Sequence, residues 1–300
     1  MIVGELDPAA LARRLAGPGL RLRTGPLVAC IRSPLTEVAE GIALLYRDHE
    51  LDPEDGFADF HVRIGRPVGM RRWLKPQVQF QFDGWPPFYP LPGDQGFPIL
   101  EWGLNWCVST HCHQYLILHA AVVERGGRAL LLPAPPGSGK STLCAGLVNR
   151  GWRLLSDELT LLDPKAEQVY PLPRPVSLKN ASIEVIRAFA PGAVLSETVH
   201  DTLKGSVAHM KPPAESVRRA LEPAVPAWIV MPRYQAGAKG ELATMPKGRA
   251  FMQLVDSAFN YHLHGPRGFE RLAQTVEACD CYEFTYSDLE QAAALFARLA

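Results

Sequence analysis

Three short segments carry side chains whose types and spacing could do chemistry. The first is Gly137-Ser-Gly-Lys-Ser-Thr142, which follows the apolar run Ala129-Leu-Leu-Leu132 and then Pro133-Ala-Pro-Pro136. Gly137 and Gly139 let a backbone curl until successive N–H groups face one anion, and a helix opening at Lys140 would add the partial positive charge of its N-terminus. Lys140 could then reach β- and γ-phosphates, and the Ser141 hydroxyl could take a position on Mg2+. Ala134, Pro136, Gly137, Ser138, Gly139, Lys140, Ser141 and Thr142 are thus the expected nucleotide contacts, with ATP and Mg2+ as the expected cofactors. The pattern is the phosphate-binding loop (P-loop) Gly-x4-Gly-Lys-Ser/Thr with two departures. Ala134 stands at the first glycine position, and Pro135 and Pro136 remove two N–H donors.

The second segment is Trp152-Arg-Leu-Leu-Ser-Asp-Glu158, a strand pattern ending in two adjacent acids. Chemistry on Mg·ATP needs carboxylates near the metal, and transfer to a hydroxyl needs one near the acceptor. Between Ser141 and Asp157 there is room for one helix and one short strand, which would return the acids to the edge that carries the loop. A turn with solvated acids is the plain alternative. The third is His119, in Leu116-Ile-Leu-His-Ala-Ala-Val-Val123. Read by itself, a histidine in such a run is more often a satisfied core residue than a functional one.

The elements that must position these residues are legible from periodicity. Residues 20–32 read as two strands about a turn at Gly25-Pro26, 38–46 as a helix, and 57–64 and 78–82 as strands. The stretch Gly84-Trp-Pro-Pro-Phe-Tyr-Pro-Leu-Pro-Gly93 is a strong breaker and the expected domain boundary. Its Trp85, Phe88 and Tyr89 are expected to pack between domains. A helix is expected over 97–116 and one strand over 115–124, followed by a hairpin turn at Gly126-Gly127 and a strand over 128–133. A helix then runs to Arg150, with strands at 152–155 and 159–162, the second pairing with or continuing the first. Residues 192–226 read as mostly irregular, and His209-Met-Lys211 after Lys204-Gly205 as a candidate flexible loop for gripping substrate. Strands are expected at 227–231 and 242–245, and helices at 249–262, 268–278 and 287–299.

The 300 residues carry 31 basic and 31 acidic side chains, so nothing global draws the chain to nucleic acid or to an anionic membrane. The first ten residues hold Glu5 and Asp7 and no apolar run, unlike a secretory signal. No apolar stretch approaches the roughly 20 residues that span a bilayer. Six cysteines scattered through a large chain suit reduced thiols, and the expected location is the cytoplasm. Cys107 with His111-Cys112-His113 fits no common structural zinc spacing. His262 and His264 read as a helix end, and Cys279 and Cys281 as buried thiols at a strand.

Taken together, Leu118-His119-Ala-Ala-Val-Val123, the loop, and Arg150-Gly-Trp-Arg-Leu-Leu-Ser-Asp-Glu158 resemble the catalytic domain of bacterial HPr kinase/phosphorylase, in order and spacing. Met245-Pro-Lys-Gly-Arg249 and Asn260-Tyr261 look like weaker counterparts of later family segments. The pattern is closest to the type A HPr-kinase-related kinases, whose relatives include kinases of lasso-peptide precursors. The resemblance implies roles. His119 would act at the transferring group, and Asp157 would take the proton of the acceptor hydroxyl. Glu158, in place of a second aspartate, would stand with Ser141 beside the metal, and Arg249 would serve a reverse reaction. Arg174 and Lys179, in Pro171-Leu-Pro-Arg-Pro-Val-Ser-Leu-Lys179, are further candidates for touching phosphate or substrate.

The expected architecture is α/β: a small N-terminal α/β domain over 1–93, then a P-loop HPr-kinase-like domain over 94–300 on a largely antiparallel or mixed sheet. The expected activity is Mg·ATP-dependent phosphoryl transfer to a hydroxyl, in the first instance a serine of a protein or peptide. A small-molecule hydroxyl kinase and a non-catalytic ATP-sensing scaffold are the alternatives. The resemblance also implies self-association.

Overall fold

The computed structural model describes residues 1–67 and 75–299, and within them the chain is a mixed α/β protein with four sheets. The first sheet has the order β1 (Leu20–Thr24), β2 (Leu27–Arg32), β3 (Phe60–Gly65), β4 (Gln77–Phe82) and β5 (Leu91–Pro92). Its pairs are antiparallel except β2 with β3. Alternation decides its faces: in β3, Phe60, Val62 and Ile64 are buried while His61 and Arg63 face out. Helices Pro8–Ala16, Thr36–Leu45 and Gly96–His111 cover the apolar face. The long helix expected over 97–116 thus stops at His111. It shares one core with residues from Val3 to Phe80, a core that also takes in Leu159, Leu161 and Leu172.

The six-stranded sheet carries the chemistry. Its order is β16 (Glu241–Thr244), β17 (Asp280–Tyr286), β15 (Val225–Tyr234), β8 (Arg128–Pro133), β7 (Ala120–Arg125) and β9 (Arg153–Ser156). β8, β15 and β17 run parallel, and β7 lies antiparallel to both β8 and β9. The C-terminal ends of β8, β9, β15 and β17 and the start of β7 therefore share one edge. Helices Lys140–Val148 and Leu289–Leu299 pack on one face; helices Lys247–Ser257 and Pro266–Ala278 pack on the other.

Two three-stranded sheets complete the fold: β11 (Val169–Tyr170), β10 (Thr160–Leu162), β6 (Leu116–Leu118), and β12 (Val176–Lys179), β14 (Gly205–Met210), β13 (Val199–Thr202). They correct three expectations. The run 115–124 is two strands, because β6 joins β10 while β7 joins the large sheet, with the break at His119. β10 pairs with β6 and β11, not with β9. The stretch 192–226 holds the hairpin β13–β14 and helix Ala214–Arg218, and His209 is a buried strand residue, not part of a flexible loop.

Among the described residues no helix is long and apolar enough to cross a membrane. All six cysteines are free and buried. Phe88 packs on Phe80 and Trp106, whereas Trp85 and Tyr89 are exposed rather than packed between domains.

Candidate active site

β8 ends at Pro133 and the chain turns through Ala134-Pro-Pro-Gly-Ser-Gly139 into helix Lys140–Val148. Gly139 makes the turn with φ of 90°, in the left-handed region where glycine is favoured. A Cβ there would come within 2.6 Å of the Tyr286 hydroxyl. That hydroxyl donates to the Gly139 carbonyl at 2.8 Å, and the Tyr234 amide donates to the Ser138 carbonyl at 2.8 Å. The ends of β17 and β15 thus clamp the loop from the side. Nothing in the sequence pattern points to either tyrosine.

Lys140 begins the helix and is 6% exposed, with no hydrogen-bond partner for its Nζ. Burial lowers its pKa, opposed by the carboxylates of Asp157 and Glu158. A buried ammonium is costly unless paired, so this group fits an anion that the protein itself does not supply. The hydroxyl of Ser138 is also buried without a partner.

Asp157 follows directly on β9. One oxygen accepts the Ser177 amide at 3.0 Å; the other, Oδ1, is buried and unpartnered. Burial and the charge of Glu158 raise its pKa to about 6, against the pull of Lys140, the Ser177 amide and Ser141. Glu158 accepts from Asn105 Nδ2 and lies 3.5 Å from Lys179 Nζ. Burial alone would raise Glu158, but Lys179, Lys204, Lys140 and His119 outweigh it and hold its pKa below the usual value. The two acids are thereby set apart: one prone to carry a proton, the other kept ionised.

His119 sits at the break between β6 and β7, level with the loop and the acids on the shared edge. Its amide donates to the Ser257 carbonyl at 2.7 Å. Asn260 steadies the strand before it, accepting from the Ile117 amide at 2.9 Å and donating to the Tyr115 carbonyl at 2.8 Å. Burial and the nearby Lys140 charge lower the His119 pKa to about 4, so the ring is neutral at pH 7.

Loop, Lys140, Ser141, Asp157, Glu158, His119 and Lys179 are therefore brought together. Of the two other candidates, Arg174 lines the same cavity as Asp157 and Glu158 but is held by other partners, and Arg249 lies elsewhere. Arg174 is buried and engaged at each of its three nitrogens, donating to Glu101 Oε2 at 2.7 Å, the Glu101 carbonyl at 2.8 Å, Asn105 Oδ1 at 2.7 Å and Tyr46 Oη at 3.3 Å. Four of its five N–H groups are thus taken by the chain itself, which leaves it little to offer a substrate. Arg249 is exposed on helix Lys247–Ser257 and pairs with Glu283 at 2.7 Å. Asn105, Ser177, Tyr234 and Tyr286 are the residues that sequence reasoning missed as parts of the site. Each reaches it from a distant segment with no motif of its own.

The donor set suits Mg·ATP: a buried unpaired ammonium, a serine at a helix N-terminus, and two carboxylates of which one has a free buried oxygen. Ser141 and Glu158 are the residues that would attend Mg2+, which takes most of its ligands from phosphate and water. Among the described residues no group of three His, Cys, Asp or Glu could hold a metal by itself. Cys107 and Cys112 are buried thiols whose pKa burial pushes up to about 12, and His111 packs against Phe82 and Trp106.

No protein-family model matches the chain, and no curated protein matches it. Among solved structures, the HPr(Ser) kinase/phosphatase from Coxiella burnetii is similar at 12% identity with a TM-score of 0.28, covering 61% of this chain and 96% of that one. So slight a likeness carries no functional argument, and function rests on the geometry.

Proposed function

We propose that this chain is a kinase that transfers the γ-phosphoryl group of Mg·ATP to a hydroxyl, with a serine of a protein or peptide as the first candidate acceptor. One observation carries the reading. A buried ammonium without a partner, Lys140, and a buried carboxylate oxygen without a partner, Asp157 Oδ1, occur on one sheet edge beside a glycine-rich helix N-terminus. A scaffold that only held nucleotide would have use for the first and not for the second.

In this reading Lys140 and the loop amides bind the β- and γ-phosphates. Ser141 and Glu158 would hold Mg2+, which would neutralise phosphate charge when the nucleotide is bound. Asp157 accepts the proton of the acceptor hydroxyl as its oxygen forms the new bond to phosphorus. The bond to the β-phosphate oxygen breaks, and ADP leaves with that electron pair. A carboxyl with a pKa of about 6 is ionised at pH 7 yet basic enough to take a proton. His119, neutral, donates a hydrogen bond toward the transferring group.

The peptide acceptor is favoured over a small molecule by a cleft next to the site. An apolar cleft of about 720 Å³ is lined by Pro86, Phe88, Tyr89, Trp102, Leu203 and Lys204. Lys204 Nζ lies 4.9 Å from the centre of the Trp102 ring, and its charge is felt at Glu158. Tyr89 and Leu203 are 92% and 87% exposed, an apolar surface that a peptide side chain would cover.

The test is transfer from γ-labelled ATP to components of the source-cell lysate, followed by identification of the labelled species. A labelled polypeptide is expected. Asp157→Asn should retain nucleotide binding and lose roughly 10²- to 10⁴-fold in transfer rate. An Asp157→Asn protein that transferred at the wild-type rate would remove the proposed base.

A further inference from the structure

We infer that Asn105 is a positioning residue that fixes Glu158 at the mouth of the phosphate loop, reaching it from the N-terminal part of the molecule. The inference rests on the kinase reading for what Glu158 does there, but not for where Glu158 is held.

Asn105 belongs to helix Gly96–His111, whose core is that of the first sheet. Its amide is used at both ends. Nδ2 donates to Glu158 Oε2, and Oδ1 accepts from Arg174 Nη1 at 2.7 Å. The partners fix which end is which, since a guanidinium only donates and a carboxylate only accepts. Arg174 cannot yield, because Glu101 and Tyr46 hold it. A rotated Asn105 would leave a buried guanidinium donor unpaired, at a penalty well above an ordinary hydrogen bond.

The other oxygen of Glu158 meets only Lys179 Nζ, at 3.5 Å, a long and partly exposed pair that confines it little. A glutamate has one more rotatable bond than an aspartate, and that freedom must be removed for the carboxylate to sit in one place. Asn105 is the group that removes it. The line Glu101, Arg174, Asn105, Glu158 runs from the first core to the loop edge, and both its terminal acids are acceptors. The acid that would attend the metal thus depends on a residue outside every motif of the P-loop segment.

Two variants test this in the full chain. Asn105→Asp keeps an acceptor for Arg174 and removes the donor to Glu158; Asn105→Leu removes both. The first readout is the position of the Glu158 carboxylate in crystals of each variant. The second is binding of adenylyl imidodiphosphate, a non-hydrolysable ATP analogue, over a Mg2+ titration. In both variants Glu158 should leave its place. The Mg2+ concentration for half-maximal binding should rise roughly tenfold or more, the usual effect of removing a partner that orients a metal ligand. Affinity without Mg2+ should hold.

A folded Asn105→Asp protein with Glu158 in place and an unchanged Mg2+ requirement overturns the inference, as does equal loss of binding with and without Mg2+. If Asn105→Leu does not fold, Asn105→Asp decides. If the wild type binds no nucleotide, the kinase reading falls, and the position of Glu158 alone judges Asn105.

Discussion

Lys140 and Arg174 are both 6% exposed, yet their surroundings are opposite. Arg174 lies where the Pro171–Lys179 stretch crosses the N-terminal helices, and a carboxylate, a carbonyl, an amide oxygen and a phenol meet its donors. Lys140 lies at the edge of the large sheet and its ammonium has no hydrogen-bond partner. Both are basic residues near prolines, and both look like phosphate ligands in the sequence. A buried charge whose partners come from the chain belongs to the architecture; one whose partners are missing belongs to a ligand.

The comparison can be broken at either end. The largest effect is expected from Arg174→Met. It leaves Glu101 buried without its cation, and loss of one member of such a pair costs about 3–5 kcal/mol. Urea unfolding should show this as a lower midpoint at unchanged slope. An unaltered midpoint would make Arg174 a free cation after all.

The Arg174 region should also be acid-sensitive. His49 donates from Nε2 to the Pro173 carbonyl at 2.9 Å, and burial lowers its pKa to about 4. A histidine depressed in the fold favours the native state above its unfolded pKa of 6.5, and that contribution is lost as pH falls through the window down to about 4. The loss amounts to about 3 kcal/mol at 1.36 kcal/mol per pH unit. The stability gap between wild type and His49→Gln should shrink by this amount from pH 6.5 to pH 4. A gap independent of pH would contradict the assignment.

The smallest effect on the fold is expected from Lys140→Met. Removing a buried charge that has no protein partner should leave stability unchanged or raise it. Nucleotide affinity should fall by about 1.5–3 kcal/mol, the range for a hydrogen bond to a charged group, or tenfold to more than a hundredfold. Calorimetry of ATP-analogue binding beside a thermal melt reads both. A destabilised Lys140→Met would place Lys140 in the same class as Arg174.

Local features were legible in the sequence and long-range ones were not. The loop, β8 and the turn at Gly126-Gly127 follow from short patterns of glycine and apolar residues, and Asp157 followed from counting residues to the next strand. The break at His119 gave no signal, because Leu118 and Ala120 are both apolar and both buried although they belong to different sheets. Hairpin β13–β14 was hidden for a different reason. Its first strand is polar and largely exposed, and only its partner β14 carries a buried run. Arg174 was misread since the residues that occupy it, Glu101 and Asn105, lie about seventy positions earlier. Arg249 was placed by resemblance alone, and an exposed pair with Glu283 stands where a site contact was expected.

The burial of all six thiols has a practical side. A maleimide dye offered to the folded protein would find no native thiol at the surface. Leu203, at the tip of the β13–β14 turn, is 87% exposed and neighbours Lys204 over the Trp102 ring. A single dye on Leu203→Cys would therefore report, through quenching by that indole, on whatever enters the cleft.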